Sequence, residues 1–205
     1  VLTAGSLALA ASLTRTCLAL IVTYLVIQLG YNWKFKAVPV LDVFVIAIGF
    51  MLRVIGGAVV IDVPRSSWLL LTTMFLSLFL GIAKRRGELI TLAAAEQKGE
   101  GGFATRKVLE HYSLEFVEQM TTICAAGFVF SYALYTVSDR TVKMFGSENL
   151  ILTTPFVLYG VFRYLYLLHK KQLGENPTET VLSDGPMILN FIAYAVAMLA
   201  IIYVK

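Results

Sequence analysis

Lys84, Arg85 and Arg86 stand side by side, followed by Gly87 and Glu88. Three adjacent cations at the mouth of an apolar run make a concentrated anion site, a topological anchor, or both. The triplet covers nearly a full helical turn, so one or two members are expected to face a cavity and the rest the headgroups. Glu88 lies four residues after Lys84 and can pair with it along a helix. Equally, a carboxylate beside basic groups can hold Mg²⁺ already bound to a diphosphate.

Two further arginines, Arg53 and Arg163, fall inside apolar runs. A charge there costs at least ~2.5–3.5 kcal/mol, so it faces a partner or a wet cavity. Asp42 and Arg53 are eleven residues apart, close to three helical turns, which puts Asp42, Ile46, Gly49, Arg53 and Gly56/Gly57 on one face. That face either packs a neighbour closely through its glycines or lines a cavity. Tyr159, Arg163, Tyr166 and Lys170 form a second stripe, suited to a phosphate with an apolar tail or to a snorkelling interface. Asp184, in Ser183-Asp184-Gly185-Pro186, reads as a helix N-cap. His111 has no second histidine at ligand spacing and is expected at the interface. Cys17 and Cys124 lie inside apolar runs and imply neither a disulfide nor a metal site.

The elements that must position these residues are membrane helices. Of 205 residues, 58% are hydrophobic and 15% charged, and the charges collect between long apolar blocks. The expected architecture is an all-α polytopic transmembrane bundle, residues 1–205 forming a single integral membrane domain. Six full spans are predicted at 17–31, 39–61, 66–83, 114–137, 150–168 and 187–204, with a partial one at 1–13. The span at 66–83 is expected to end at the cationic cluster. Residues 96–107 read as a mobile glycine-rich loop, possible as a lid, and 106–112 as a short amphipathic helix. Residues 138–149 and 174–186 read as connections.

Alternate loops separate by charge. Lys34, Lys36, Lys84, Arg85, Arg86, Lys98, Arg106, Lys107, Lys170 and Lys171 fall on one side; Arg15, Arg65, Arg140, Lys143 and Lys205 fall on the other. Ten cations against five put the cluster in the cytoplasm. The net charge of +4 therefore sits at helix ends and is no nucleic-acid signal. The chain opens with Val1 inside an apolar run, which suggests a truncated start.

Pro39-Val40-Leu41-Asp42-Val43, Gly49-Phe50-Met51-Leu52-Arg53, Lys84-Arg85-Arg86-Gly87-Glu88-Leu89, Arg106 with Leu109 and Tyr112, Tyr159 with Arg163-Tyr164, and Pro177-Thr178-Glu179 with Leu182 and Asp184 occur in this order. Together they resemble the UbiA-type intramembrane prenyltransferase superfamily, in particular its decaprenyl-phosphate phosphoribosyltransferase branch. The resemblance covers nearly the whole chain. It implies a nine-helix bundle, of which this chain is the C-terminal two-thirds, with a cytoplasm-facing cavity open to lipid. It also implies Mg²⁺-dependent transfer of phosphoribose from 5-phosphoribosyl diphosphate to a polyprenyl (decaprenyl) phosphate in the bacterial inner membrane, for cell-wall arabinan precursors. The N-D-x-x-D-x-x-x-D motif of the superfamily is absent and is expected upstream, so no catalytic residue or complete metal site is assigned here. The second aspartate motif, D-x-x-x-D, is replaced by Lys84-x-x-x-Glu88, which favours direct phosphate binding over a second Mg²⁺.

Expelling diphosphate from ribose C1 builds negative charge that preorganised cations stabilise. The expected substrate- and phosphate-binding set is Lys84, Arg85, Arg86, Arg163, Arg53, Lys36 and Tyr164, supported by Asp42, Glu88 and Asp184. Arg53, Lys84 and Arg163 are expected to converge on one water-filled pocket at the inner leaflet. The 205 residues by themselves are expected to be inactive. Alternatives are an isoprenyl transfer to an aromatic or lipid acceptor, and a transporter or other non-enzyme, although no inverted repeat or paired broken helices support the latter. Oligomeric state is left open, a homo-oligomer included.

Overall fold

Backbone polar groups find no water in a bilayer core, so apolar runs of crossing length close their hydrogen bonds internally as helices. The computed structural model describes residues 15–97, 107–170 and 177–203, and all their regular elements are helical. These are α1 (Arg15–Trp33), α2 (Leu41–Val60), α3 (Ser67–Gln97), α4 (Leu114–Val137), the short α5 (Asp139–Phe145), α6 (Thr154–Lys170), the short α7 (Pro177–Leu182) and α8 (Gly185–Tyr203), with 3₁₀ turns at Phe35–Ala37, Lys107–His111 and Asn149–Thr153. Six of them are long and apolar enough to cross a membrane, and the chain is an integral membrane protein. The partial span at 1–13, the glycine-rich stretch 98–106, and the cations Lys98, Arg106, Lys171 and Lys205 lie outside the described residues.

The spans pack in chain order: α1 on α2, α2 on α3, α3 on α4, α4 on α6 and α6 on α8. Val43, Phe79, Ile82, Val117, Val161 and Met187 bring five of them into one buried core. Val26 and Leu29 of α1, and Leu189 and Val196 of α8, are exposed apolar residues of a kind lipid covers. The α3–α4 interface is the most extensive, and Gly127 makes it close. A Cβ there would lie 2.6 Å from the Phe75 ring. Polar residues inside α3 bond to their own helix: Thr72 Oγ1 donates to Trp68 O at 2.7 Å and Ser77 Oγ to Thr73 O at 2.7 Å.

Several boundaries differ from the sequence reading. Helix α3 does not stop at Ala83 but runs on through Gln97, 31 residues in all, or about 46 Å at the helical rise. The cationic cluster therefore sits within a continuous helix, not at its mouth. Residues 138–149 contain α5, ended by Gly146 at φ 66°, and 177–182 of the last connection form α7. The expected amphipathic helix before α4 is a 3₁₀ turn, with Val108 and Leu109 buried and His111 exposed. Gly49 does meet α1, since a Cβ there would be 3.4 Å from Tyr24. Cβ atoms at Gly56 and Gly57 would meet nothing within 4 Å, so no close packing depends on them.

Candidate active site

Helices α2, α4 and α8 begin at the membrane end where α6 finishes and through which α3 passes. Each beginning helix brings a carboxylate to that end: Asp42 in the first turn of α2, Glu118 just inside α4, and Asp184 at the start of α8. Carboxylates are stabilised there by the helix dipole. The helices running the other way supply the arginines.

Arg85 Nε lies 3.3 Å from Asp42 Oδ2, the two side chains being 2% and 0% exposed. The same guanidinium pairs through Nη1 with Glu88. One buried cation thus stands between two carboxylates, which offset the desolvation that would otherwise make it untenable. Glu88 is bound to Arg85, three residues before it, and not to Lys84 as the four-residue spacing suggested.

Arg86 turns to the other side of α3. Its Nε and Nη2 donate to Glu118 Oε1 at 3.2 and 3.0 Å, and Nη1 donates to the Leu168 carbonyl at 2.7 Å. That carbonyl belongs to the last turn of α6, where helices leave acceptors unpaired. His169 Nε2 is 3.7 Å from the same Glu118 oxygen. The third pair is a fork: Arg163 Nε and Nη2 donate to Asp184 Oδ1 and Oδ2 at 3.0 and 2.9 Å. Asp184 also accepts from Met187 N at 3.1 Å, so it is the expected N-cap and an ion-pair partner at once.

Tyr112 joins this end from the turn before α4. Its hydroxyl donates to Asp42 Oδ1 at 2.8 Å and accepts from Val40 N at 2.6 Å. Burial pushes its phenol above the usual range, so it stays a hydrogen donor. The stripe on α6 is present: the Arg163 guanidinium and the Lys170 ammonium lie 5.0 and 5.4 Å from the Tyr166 ring centroid.

The expected convergence of Arg53, Lys84 and Arg163 does not occur among the described residues. Eleven residues of helix separate Arg53 from Asp42, about 16 Å in depth. Arg53 donates to Tyr24 Oη and lies over the Tyr24 and Phe50 rings, 5.0 and 5.1 Å from their centroids. Lys84 is exposed, because directing Arg85 and Arg86 to α2 and α4 turns it away. Lys36 is exposed in the turn that packs beside Lys107–His111, at the same end as Asp42. Tyr164 sits in the core against Phe79, ring centroids 5.3 Å apart. A cavity of about 90 Å³ lies at the opposite end, lined by Ile55, Ala58, Leu69, Tyr135 and Arg140.

Three arginines thus face four carboxylates, Asp42, Glu88, Glu118 and Asp184, and none of the three is a free cation. Lys34, Lys36, Lys84 and Lys170 are cations at this end without a carboxylate partner among the described residues. The described residues do not fit a Mg²⁺ site of their own. No group of three His, Cys, Asp or Glu that could hold a metal occurs among them, and Asp42 and Glu88 share Arg85. The sequence reading missed Glu118 and Tyr112's hydrogen bonds. Glu118 carried a signal, a carboxylate five residues into an apolar span.

No family model matches the chain. It is 31% identical to a decaprenyl-phosphate phosphoribosyltransferase of Mycolicibacterium smegmatis over an alignment of 209 positions that takes in 98% of this chain and 63% of that protein. Proteins of the same name are 30% identical over 183 residues in Corynebacterium glutamicum and 31% over 194 residues in Mycobacterium tuberculosis. Those matches take in 88% and 95% of this chain, and 52% and 61% of the relatives. The chain therefore spans somewhat over half the length of these curated relatives.

Proposed function

The chain is a homologue of the decaprenyl-phosphate phosphoribosyltransferases over nearly all its length, and from that premise we propose that it forms part of a membrane-embedded pentosyltransferase. The donor in this reading is 5-phosphoribosyl diphosphate and the acceptor a polyprenyl phosphate. An acceptor phosphate oxygen attacks ribose C1; the new C1–O bond forms as the C1–O bond to diphosphate breaks. The acceptor is already ionised at neutral pH and needs no strong base.

This chain's contribution is electrostatic. The departing diphosphate gathers negative charge, and Lys36, Lys84 and Lys170 are cations at the right end to meet it. Arg163, half-buried and held in a fork by Asp184, presents fixed donors beside the aromatic stripe. The buried Arg85 and Arg86 pairs hold the helices that carry these groups. Mg²⁺ enters as the counter-ion of the donor's diphosphate, and the role in cell-wall arabinan precursors and the cytoplasmic active face belong to the same proposal.

The observation that carries this reading is the collinear likeness over 98% of the chain. The test uses full-length protein in detergent with Mg²⁺. Labelled phosphoribosyl diphosphate is incubated with polyprenyl phosphate, and in parallel labelled prenyl diphosphate with an aromatic acid. Label entering lipid in the first pair is expected; product only in the second would replace this reading by isoprenyl transfer.

A further inference from the structure

Val40, immediately before α2, has φ 67° and ψ −44°, a conformation that a β-branched side chain rarely tolerates. Leu41 N donates to Pro39 O at 2.7 Å, two residues back, so Val40 is the centre of a γ-turn of the rare, positive-φ kind. Strain of this sort persists only where the surroundings over-determine it. Here one side chain does so: the Tyr112 hydroxyl accepts from Val40 N and donates to Asp42 Oδ1. Its ring is buried, 7% exposed, and stacked on Phe116 at 6.2 Å.

We propose that Tyr112 is a positioning residue: by holding the strained Val40 turn and Asp42 together, it fixes the Asp42–Arg85–Glu88 cluster for the transfer. Asp42 has two oxygens; Tyr112 takes one and Arg85 faces the other. Without the hydroxyl, the turn relaxes to negative φ, the first turn of α2 shifts, and Asp42 leaves its place beside Arg85. Tyr112 is delivered by the connection from α3 to α4, seventy positions along the chain from Asp42. The cluster is thus tied to the residues just before α4, after the turn Lys107–His111. This inference rests on the proposed transferase reading for its kinetic part and on geometry alone for the rest.

The test uses the full-length protein and its variant Tyr112→Phe. Loss of positioning is expected to lower kcat about 10-fold while KM for phosphoribosyl diphosphate moves less than about 2-fold. Adding Val40→Gly, which adopts positive φ without cost, is expected to restore kcat to within about 3-fold of the parent. The same glycine should not rescue Asp42→Asn. Hydrogen exchange of the peptide 38–44 reads the geometry without any assay: exchange of the Asp42 and Phe44 amides, bonded to Val38 O and Val40 O, should quicken in Tyr112→Phe and slow again with Val40→Gly.

Unchanged kcat together with unchanged exchange in Tyr112→Phe overturns the proposal, as does a kcat deficit that glycine at position 40 leaves in place. If wild-type protein makes no phosphoribosyl lipid, the transferase reading fails and the exchange comparison alone decides the role of Tyr112. If Tyr112→Phe does not survive purification, Val40→Gly/Tyr112→Phe is compared with Val40→Gly. Matching kcat and exchange support the proposal, and a 10-fold deficit in the double variant overturns it.

Discussion

At the scale of single residues, the decisive fact is that the three arginines at this membrane end are already paired. Arg86 shows the consequence most sharply. A phosphate-binding Arg86 would need free donors, yet its Nε, Nη1 and Nη2 already hold Glu118 and the end of α6. Removing one partner of a fully buried pair costs about 3–5 kcal/mol. Glu118's side chain is 37% exposed, so water screens part of that loss. Arg86→Ala is therefore expected to destabilise the full-length protein by about 2–3 kcal/mol. Glu118→Gln keeps an accepting oxygen and is expected to cost about 1 kcal/mol. Thermal melts in detergent check that order. A phosphate ligand would instead show an unchanged melt and a raised KM for the donor. Of these partnerships the sequence displayed only the types: three basic residues in a row announce an anion, and nothing local says that the anion is Glu118. Asp184 was readable as an N-cap because it stands before Gly-Pro, whereas the face shared by Asp42 and Arg53 did not reveal that Asp42 pairs with Arg85. Which of Lys84, Arg85 and Arg86 turns inward was not readable, since the phase of α3 about its axis is set by packing.

At the scale of elements, long apolar runs located all six spans, because lipid leaves the backbone no alternative to a helix. The end of α3 was misplaced for a physical reason. Leaving the apolar run was read as leaving the helix, but Leu89-Ile90-Thr91-Leu92-Ala93-Ala94-Ala95-Glu96-Gln97 is rich in strong helix formers and continues it in water. Close approach of α3 and α4 was likewise hidden, since Gly127 declares itself only against its partner. A methyl group at position 127 would stand 2.6 Å from Phe75 Cδ1 and Cε1 and 2.9 Å from Cγ. Gly127→Ala is expected to cost about 1–3 kcal/mol through overpacking. Phe75→Ala should cost less in the Gly127→Ala background than in the parent, because the two changes share one contact. Equal cost in both backgrounds, measured by thermal melts of the single and double variants, would mean that the helices separate without resistance.

At the scale of the whole molecule, the question is which end faces the cytoplasm. Lys34, Lys36, Lys84, Arg85, Arg86 and Lys170 gather where α2, α4 and α8 begin, and Arg15, Arg65, Arg140 and Lys143 gather at the other end. Two of the first group, Arg85 and Arg86, are buried in ion pairs and serve the fold. Setting them aside, the full-chain comparison falls from ten against five to eight against five, and the sign of the bias survives. A soluble, highly charged donor must reach this end from the compartment that holds it, so orientation and the proposed chemistry stand together. Cys17 and Cys124 are both buried, which leaves introduced thiols as the reactive ones. With Lys36→Cys and Lys143→Cys made separately, a membrane-impermeant maleimide added to intact cells should label position 143, on α5, and reach position 36, in the turn before α2, only after lysis. Labelling of position 36 in intact cells would turn the bundle over and place the ion-pair row, with the lysines around it, on the wrong side for a cytoplasmic phosphoribosyl donor.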